Sequence, residues 1–186
     1  MALKYRFTNN SVIFTHNGSE FTTETLFALL YQCSEGKEDN KSIGRFGTGA
    51  LSATILSRKY HISGDVKTTA SGIEKIYSFD VDIDRKGESA EELQKGVENM
   101  EESFYKSDKI KGEPSFEYDI DFENDTSAKA YNIGYHSLKN KAPIVLILNN
   151  LIESIIIENE KEHETLTYTA KHENDHIQSV IIESNK

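Results

Sequence analysis

The sequence predicts an α+β fold, a two-layer sandwich with helices on one face of a mixed, mainly antiparallel sheet. Three observations carry that prediction. The periodic segments follow the order β-β-α-α-β-β-α-β-α-β-β-β, with turns short enough for antiparallel neighbours. Strand candidates alternate with a period of two, whereas helix candidates repeat at i, i+3, i+4 and i+7. Apolar residues form 37% and charged residues 28% of the 186 positions, a balance that suits a layer with one well-solvated face. The length suits a single domain over residues 1–186 with one core.

Taken in order, Tyr5 to Phe7 and Val12 to Thr15 read as two strands joined through Asn9-Asn10, a pair that tolerates a tight hairpin turn. The second strand delivers His16-Asn17-Gly18. Thr22 or Thr23 then caps a helix whose Leu26, Leu29, Leu30 and Cys33 share one face, ending near Gly36. Cys33, the single cysteine, reads as a small buried hydrophobe and agrees with a reducing compartment. The segment Glu35 to Ser42 has no apolar residue, so it reads as an exposed loop, either a lid or an ordinary surface connection. Gly44-Arg45-Phe46-Gly47-Thr48-Gly49 runs into a second helix, through Leu51, Ile55 and Leu56 to a basic last turn at Arg58-Lys59. Backbone N–H groups without Cβ shielding at the start of a helix suit a polyphosphate.

Tyr60 to Val66 is expected to be a strand, and Tyr77, Phe79, Val81 and Ile83 alternate with Asp80, Asp82 and Asp84, one face in the core and one in water. That alternation spreads the aspartates along a solvated face, so no cation is assigned to them. Ser89 and Glu92 make a capping box for a helix from Ala90 to Lys106, with Leu93, Val97, Met100 and Phe104 as its apolar stripe. Ser115 to Glu123 is read as a strand, and Asn124-Asp125-Thr126 caps a helix from Ser127 to Asn140 that must stop before Pro143. Strands follow at Ile152 to Ile157, Leu166 to Ala170 and Ile177 to Glu183.

A formal net charge of −10 argues against extended contact with a nucleic-acid backbone, whose affinity comes from Lys and Arg on phosphates. No apolar run is long enough to cross a bilayer and the opening MALKYRF lacks a secretory core, so a cytoplasmic protein without a membrane partner is expected. His172-Glu173-Asn174-Asp175-His176 matches the zinc-peptidase pattern H-E-x-x-H, which needs a helix to stack its two rings. Here strand-like sequence flanks an Asn-Asp turn, so a hairpin is predicted and the zinc reading is rejected.

His16-Asn17-Gly18-Ser19-Glu20-Phe21-Thr22 followed by Ile43 to Gly49, in this order and spacing, resembles the GHKL ATPases. These are the gyrase, ninety-kilodalton heat-shock chaperone, histidine kinase and MutL group with the Bergerat ATP-binding fold. The likeness is greatest to the sacsin-like and chaperone-like branch, and Ser57-Arg58-Lys59 to Ser63-Gly64 continues it. The resemblance implies a domain that binds ATP and Mg²⁺. It implies that Gly18 lets the base lie close to the backbone, that His16 and Asn17 stand beside it, and that Gly44, Gly47 and Gly49 shape a lid over the phosphates, with Phe46 packing at its hinge and Arg45 and Thr48 in the same nucleotide-binding loop. Lys37 and Lys41 are implied either as phosphate partners or as ordinary solvated lysines of the loop, and Ser115 stands near a position that helps hold the base.

The sequence departs from the family pattern at three places. His16 replaces the usual aspartate that accepts from the adenine amino group, Glu20 replaces a second glycine, and the helix carrying the catalytic glutamate and the Mg²⁺-binding asparagine is not recognisable before Tyr5. The expectation is therefore a fragment of a longer ATPase or chaperone-like protein, whose remaining domains are its partners. The chain alone is expected to bind nucleotide at most, with no catalytic residue. The alternative is a degenerate, non-catalytic interaction module that keeps the fold without nucleotide.

Overall fold

The computed structural model describes residues 1–31, 53–70, 72–105, 113–173 and 176–185. The loop Glu35 to Ser42, Cys33 and the glycine cluster Gly44 to Gly49 lie outside the described residues. Among those described, nine strands and three α-helices form an α+β fold with a mixed, mainly antiparallel sheet. The chain divides into two compact units, Met1–Gly18 with Asp119–Lys186, and Ser19–Tyr118.

In the first unit, β1 (Ala2–Phe7) pairs antiparallel with β2 (Ser11–His16) and parallel with β7 (Ser154–Asn159). β7, β8 (Glu164–Glu173) and β9 (His176–Asn185) continue as an antiparallel meander. The register places Leu3 and Tyr5 beside Ile155 and Ile157, and these beside Tyr168 and Leu166, so one apolar face, which Phe7 extends, runs across three strands. Most of these side chains are buried, and Phe7 packs edge-on against Tyr131 and Tyr135 of the helix covering that face. Lys4 and Arg6 point to the other side, where they pair with Glu158 and Glu160 at 2.8 and 2.6 Å. The Asn9-Asn10 turn is formed as expected, closed by the Thr8 amide on the Ser11 carbonyl at 2.9 Å.

That covering helix, α3 (Asp125–Leu148), is capped by Asn124, whose side chain accepts from the amides of Thr126 and Ser127. It does not stop before Pro143. A proline inside a helix leaves the carbonyl four residues earlier without its donor, which here is Lys139. The Tyr168 hydroxyl donates to that carbonyl at 3.0 Å, so the ladder's missing bond is replaced from β8 and the helix continues. Tyr168→Phe is expected to destabilise by about 1–3 kcal/mol, the penalty for an unsatisfied group. In a Pro143→Ala background the restored N–H should remove most of that cost. Equal urea-midpoint shifts in both backgrounds would rule this account out.

In the second unit, β4 (Lys59–Ala70) is central. One edge pairs along its whole length with β5 (Ile73–Asp84); the other is shared by β6 (Ser115–Asp119) at Tyr60 to Ser63 and by β3 (Phe21–Thr22), parallel, at Val66 and Lys67. Phe79, Val81 and Ile83 are buried with Tyr60, Ile62, Val66, Leu26 and Met100, while Asp82 is exposed, as the alternation predicts. Tyr77 and Ile73, on the same side of β5, are exposed, because the hairpin runs on past its helical cover.

Helix α1 (Thr23–Tyr31) is capped by Thr22, which exchanges hydrogen bonds with Thr25. The predicted second helix begins outside the described residues, and within them it does not reach Arg58-Lys59. Ala53–Ile55 is a single 3-10 turn, and the Ser57 hydroxyl bonds both the carbonyl and the amide of Lys59, at 2.7 and 3.0 Å, sending the chain straight into β4.

Helix α2 (Ala90–Tyr105) has its predicted capping box: the Glu92 amide donates to Ser89 Oγ, and the Ser89 amide donates to Glu92 Oε2, both at 3.2 Å. Hydrogen bonds from the Glu88 and Ser89 amides hold the Glu92 carboxyl below the usual carboxylate range. Leu93 and Val97 are exposed, against expectation. The helix meets β5 through Met100 and Phe104 and also through two small residues: Ser103 Oγ accepts from the Asp82 amide at 3.0 Å, and a Cβ on Gly96 would lie 2.5 Å from the Asp84 carbonyl oxygen. β6 ends at Asp119, short of the predicted Glu123. Beyond it the Ile120 amide donates to the Asn10 carbonyl at 2.8 Å, and Phe122 packs on Tyr131.

Candidate functional site

Of the residues singled out in the sequence, His16, Asn17, Gly18 and Ser115 are described, while Lys37, Lys41, Gly44, Arg45, Phe46, Gly47, Thr48 and Gly49 lie outside the described residues. His16 is the last residue of β2, opposite Leu3 in the register, and its ring lies 5.7 Å from that of Phe14. Its Nδ1 accepts the Gly18 amide at 3.1 Å. Asn17 turns back onto the start of β1: its Oδ1 accepts the Ala2 amide at 2.6 Å, and its own amide donates to the Ala2 carbonyl at 3.3 Å. A Cβ on Gly18 would meet His16 Nδ1 and Met1 Sδ, each at 2.9 Å, so the close approach at this glycine is to the chain's own side chains. Met1 is held in turn, its amino group donating to the Leu151 carbonyl at 3.0 Å and its carbonyl accepting from the Glu153 amide at 2.8 Å.

Ser115 opens β6 opposite Ser63 and belongs to the Ser19–Tyr118 unit, whereas His16, Asn17 and Gly18 belong to the other. The four described candidates are thus divided between the two units.

A second polar cluster, in the first unit, carries no motif. The Tyr135 hydroxyl donates to Glu164 Oε2 at 2.6 Å, with Glu162 Oε2 at 3.1 Å as a second acceptor in reach of the same proton. Lys139, one turn along α3, donates to Glu164 and to the Tyr135 oxygen. Glu164 is only 6% exposed. Burial, and then the bonds to Glu164 and Glu162, push the Tyr135 hydroxyl well above the ordinary tyrosine range, so it remains a donor. Burial likewise raises Tyr168, against the opposing charge of Lys139. Tyr135 and Lys139 stand at i and i+4 on one face of α3, whereas Glu162 lies in the turn before β8 and Glu164 opens that strand. Only the register between helix and strand brings the pairs together. The Tyr135 hydroxyl, the Lys139 ammonium and Glu164 Oε2 are bonded to one another, which ties α3 to β8.

His172 and His176 lie on neighbouring antiparallel strands, with Glu173 opposite His176, so the predicted hairpin is present and the helix a zinc peptidase needs is not formed there. Among the described residues no three His, Cys, Asp or Glu side chains converge as a metal site, and no described residue is assigned to Mg²⁺. No described helix is long and apolar enough to cross a membrane.

No protein-family model matches the chain, and no curated protein matches it. Among solved structures it is similar to the N-terminal domain of a DNA repair protein, over 86% of this chain and 45% of that one, with a TM-score of 0.40 and 9% identity. A likeness that loose carries no argument.

Proposed function

We propose that the chain is an ATP-binding domain of the GHKL type, from a larger ATPase or chaperone-like protein. The observation that carries this reading is the ordered pair of motifs, His16-Asn17-Gly18 through Phe21-Thr22 and Ile43 to Gly49. It is supported by their setting, since the first motif ends a strand and leads through β3 into α1 of an α+β fold. In this reading Gly44 to Gly49 cover the phosphates with Lys37 and Lys41 nearby, and Mg²⁺ would spread the triphosphate charge. The chain's role is to bind and orient nucleotide, and no hydrolytic step is assigned to it. The inward-facing bonds of the His16-Asn17-Gly18 turn favour one alternative, an interaction module that has kept the fold and lost nucleotide.

Equilibrium titration with a fluorescent ATP analogue and Mg²⁺ separates the two. Saturable binding is expected, lost in Gly47→Ala and in Gly49→Val with helical content unchanged, because a Cβ there holds the backbone off a phosphate. Wild-type affinity in both variants would remove the phosphate role. Absence of binding by the unaltered chain would support the module instead.

A further inference from the structure

Asn17-Gly18 is the sole asparagine-glycine step in the sequence. A glycine after asparagine has no Cβ to shield its backbone nitrogen, so that nitrogen can close a five-membered ring on the asparagine side-chain carbonyl. Both hydrogen bonds of this turn bear on the reacting atoms. The Gly18 amide, which must lose its proton to attack, donates to Nδ1 of His16 at 3.1 Å, within the reach of a general base. That bond leaves Nδ1 of the neutral ring unprotonated, with the proton on Nε2. Asn17 Oδ1, where negative charge gathers as the ring closes, accepts the Ala2 amide at 2.6 Å, the arrangement of an oxyanion donor. Asn17 is exposed, so water reaches it and ammonia can leave.

We infer that the His16-Asn17-Gly18 turn is a self-modifying site that deamidates its own asparagine, with His16 as general base. The Gly18 proton passes to His16 Nδ1 as the Gly18 nitrogen bonds to Asn17 Cγ, and the carbonyl electron pair gathers on Oδ1. When that oxyanion collapses, the Cγ–Nδ2 bond breaks with its electron pair on nitrogen. The imidazolium gives its proton to Nδ2, and ammonia departs from a succinimide. Water then opens either carbonyl of the ring, leaving an aspartyl or isoaspartyl residue at position 17. The sequence balances with water as its one co-reactant, and His16 emerges unchanged.

A turn that merely held its side chains in place would slow this reaction relative to an unfolded chain, because ring closure needs the Asn17 side chain to swing onto the Gly18 nitrogen. The test therefore incubates the folded chain, and the same chain held unfolded in guanidinium chloride, at one neutral pH. Released ammonia and the amide-to-acid mass gain of the peptide containing position 17 are followed in both. The folded chain is expected to react at least about tenfold faster, a modest share of what a positioned base contributes. His16→Gln keeps an oxygen acceptor for the Gly18 amide but supplies no base, and it should bring the folded rate down to the unfolded one. A folded rate equal to or below the unfolded rate would overturn the inference, and so would a folded His16→Gln chain that keeps the fast rate. The first comparison needs no variant, so it decides the matter whether or not His16→Gln folds.

Discussion

Lys139→Met is expected to lower the thermal unfolding midpoint by roughly 6–12 °C, corresponding to about 3 kcal/mol. The buried Glu164 carboxylate would keep the Tyr135 hydroxyl and lose the Lys139 ammonium. The figure sits at the low end for breaking a buried pair, because the Lys139 side chain is itself 26% exposed and water reaches it. Lys139→Met combined with Glu164→Leu should recover most of the loss. An apolar pair of similar volume removes the desolvation cost of both charges, and the Tyr135 hydroxyl still has Glu162 at 3.1 Å. If the double variant is as unstable as the sum of the two single ones, the pair is not coupled and this account of the cluster fails.

Two glycines should respond to the same change in opposite directions. Gly96→Ala adds a Cβ 2.5 Å from the Asp84 carbonyl oxygen, so α2 must move off β5. The expected cost of about 1–3 kcal/mol outweighs the gain of about 1 kcal/mol that alanine brings to a helix interior. Gly96→Val should be worse. At Gly134 of α3 nothing lies within 4 Å of an added Cβ, so Gly134→Ala should stabilise by about 0.5–1 kcal/mol through backbone entropy alone. Urea denaturation of the two alanine variants side by side measures this. Stabilisation by Gly96→Ala would show that the contact with β5 is slack.

Local chemistry was legible at several places where its partners lie within a few residues. The Ser89–Glu92 capping box, the Asn124 cap, the Asn9-Asn10 turn and the Phe79–Val81–Ile83 alternation all depend on short-range geometry, and the structure has each of them. Two of the readings that failed turn on contacts with another element, although the helix through Arg58-Lys59 was ended locally, by Ser57 on Lys59. Pro143 was taken to end its helix because the hydroxyl that replaces its hydrogen bond belongs to Tyr168, a residue of another element. Leu93 and Val97 were placed in the core because an apolar stripe does not say which part of it meets the sheet. Contact through Gly96 and Ser103 leaves both exposed. At the candidate site, the His16–Gly18 bond spans two residues and lay within reach of sequence reasoning, whereas the Asn17–Ala2 bond spans fifteen and did not.

The bond between Tyr168 and the Lys139 carbonyl also constrains the order in which this chain can change. A lineage that first exchanges Tyr168 for phenylalanine passes through an intermediate with an orphaned carbonyl under a proline. A lineage that first exchanges Pro143 regains a backbone donor, and the tyrosine hydroxyl is then dispensable. The two routes reach the same pair of residues, but only the second avoids a low-stability intermediate. Close relatives of this chain are therefore expected to include combinations that lack the proline and retain the tyrosine, and to be poor in the reverse combination.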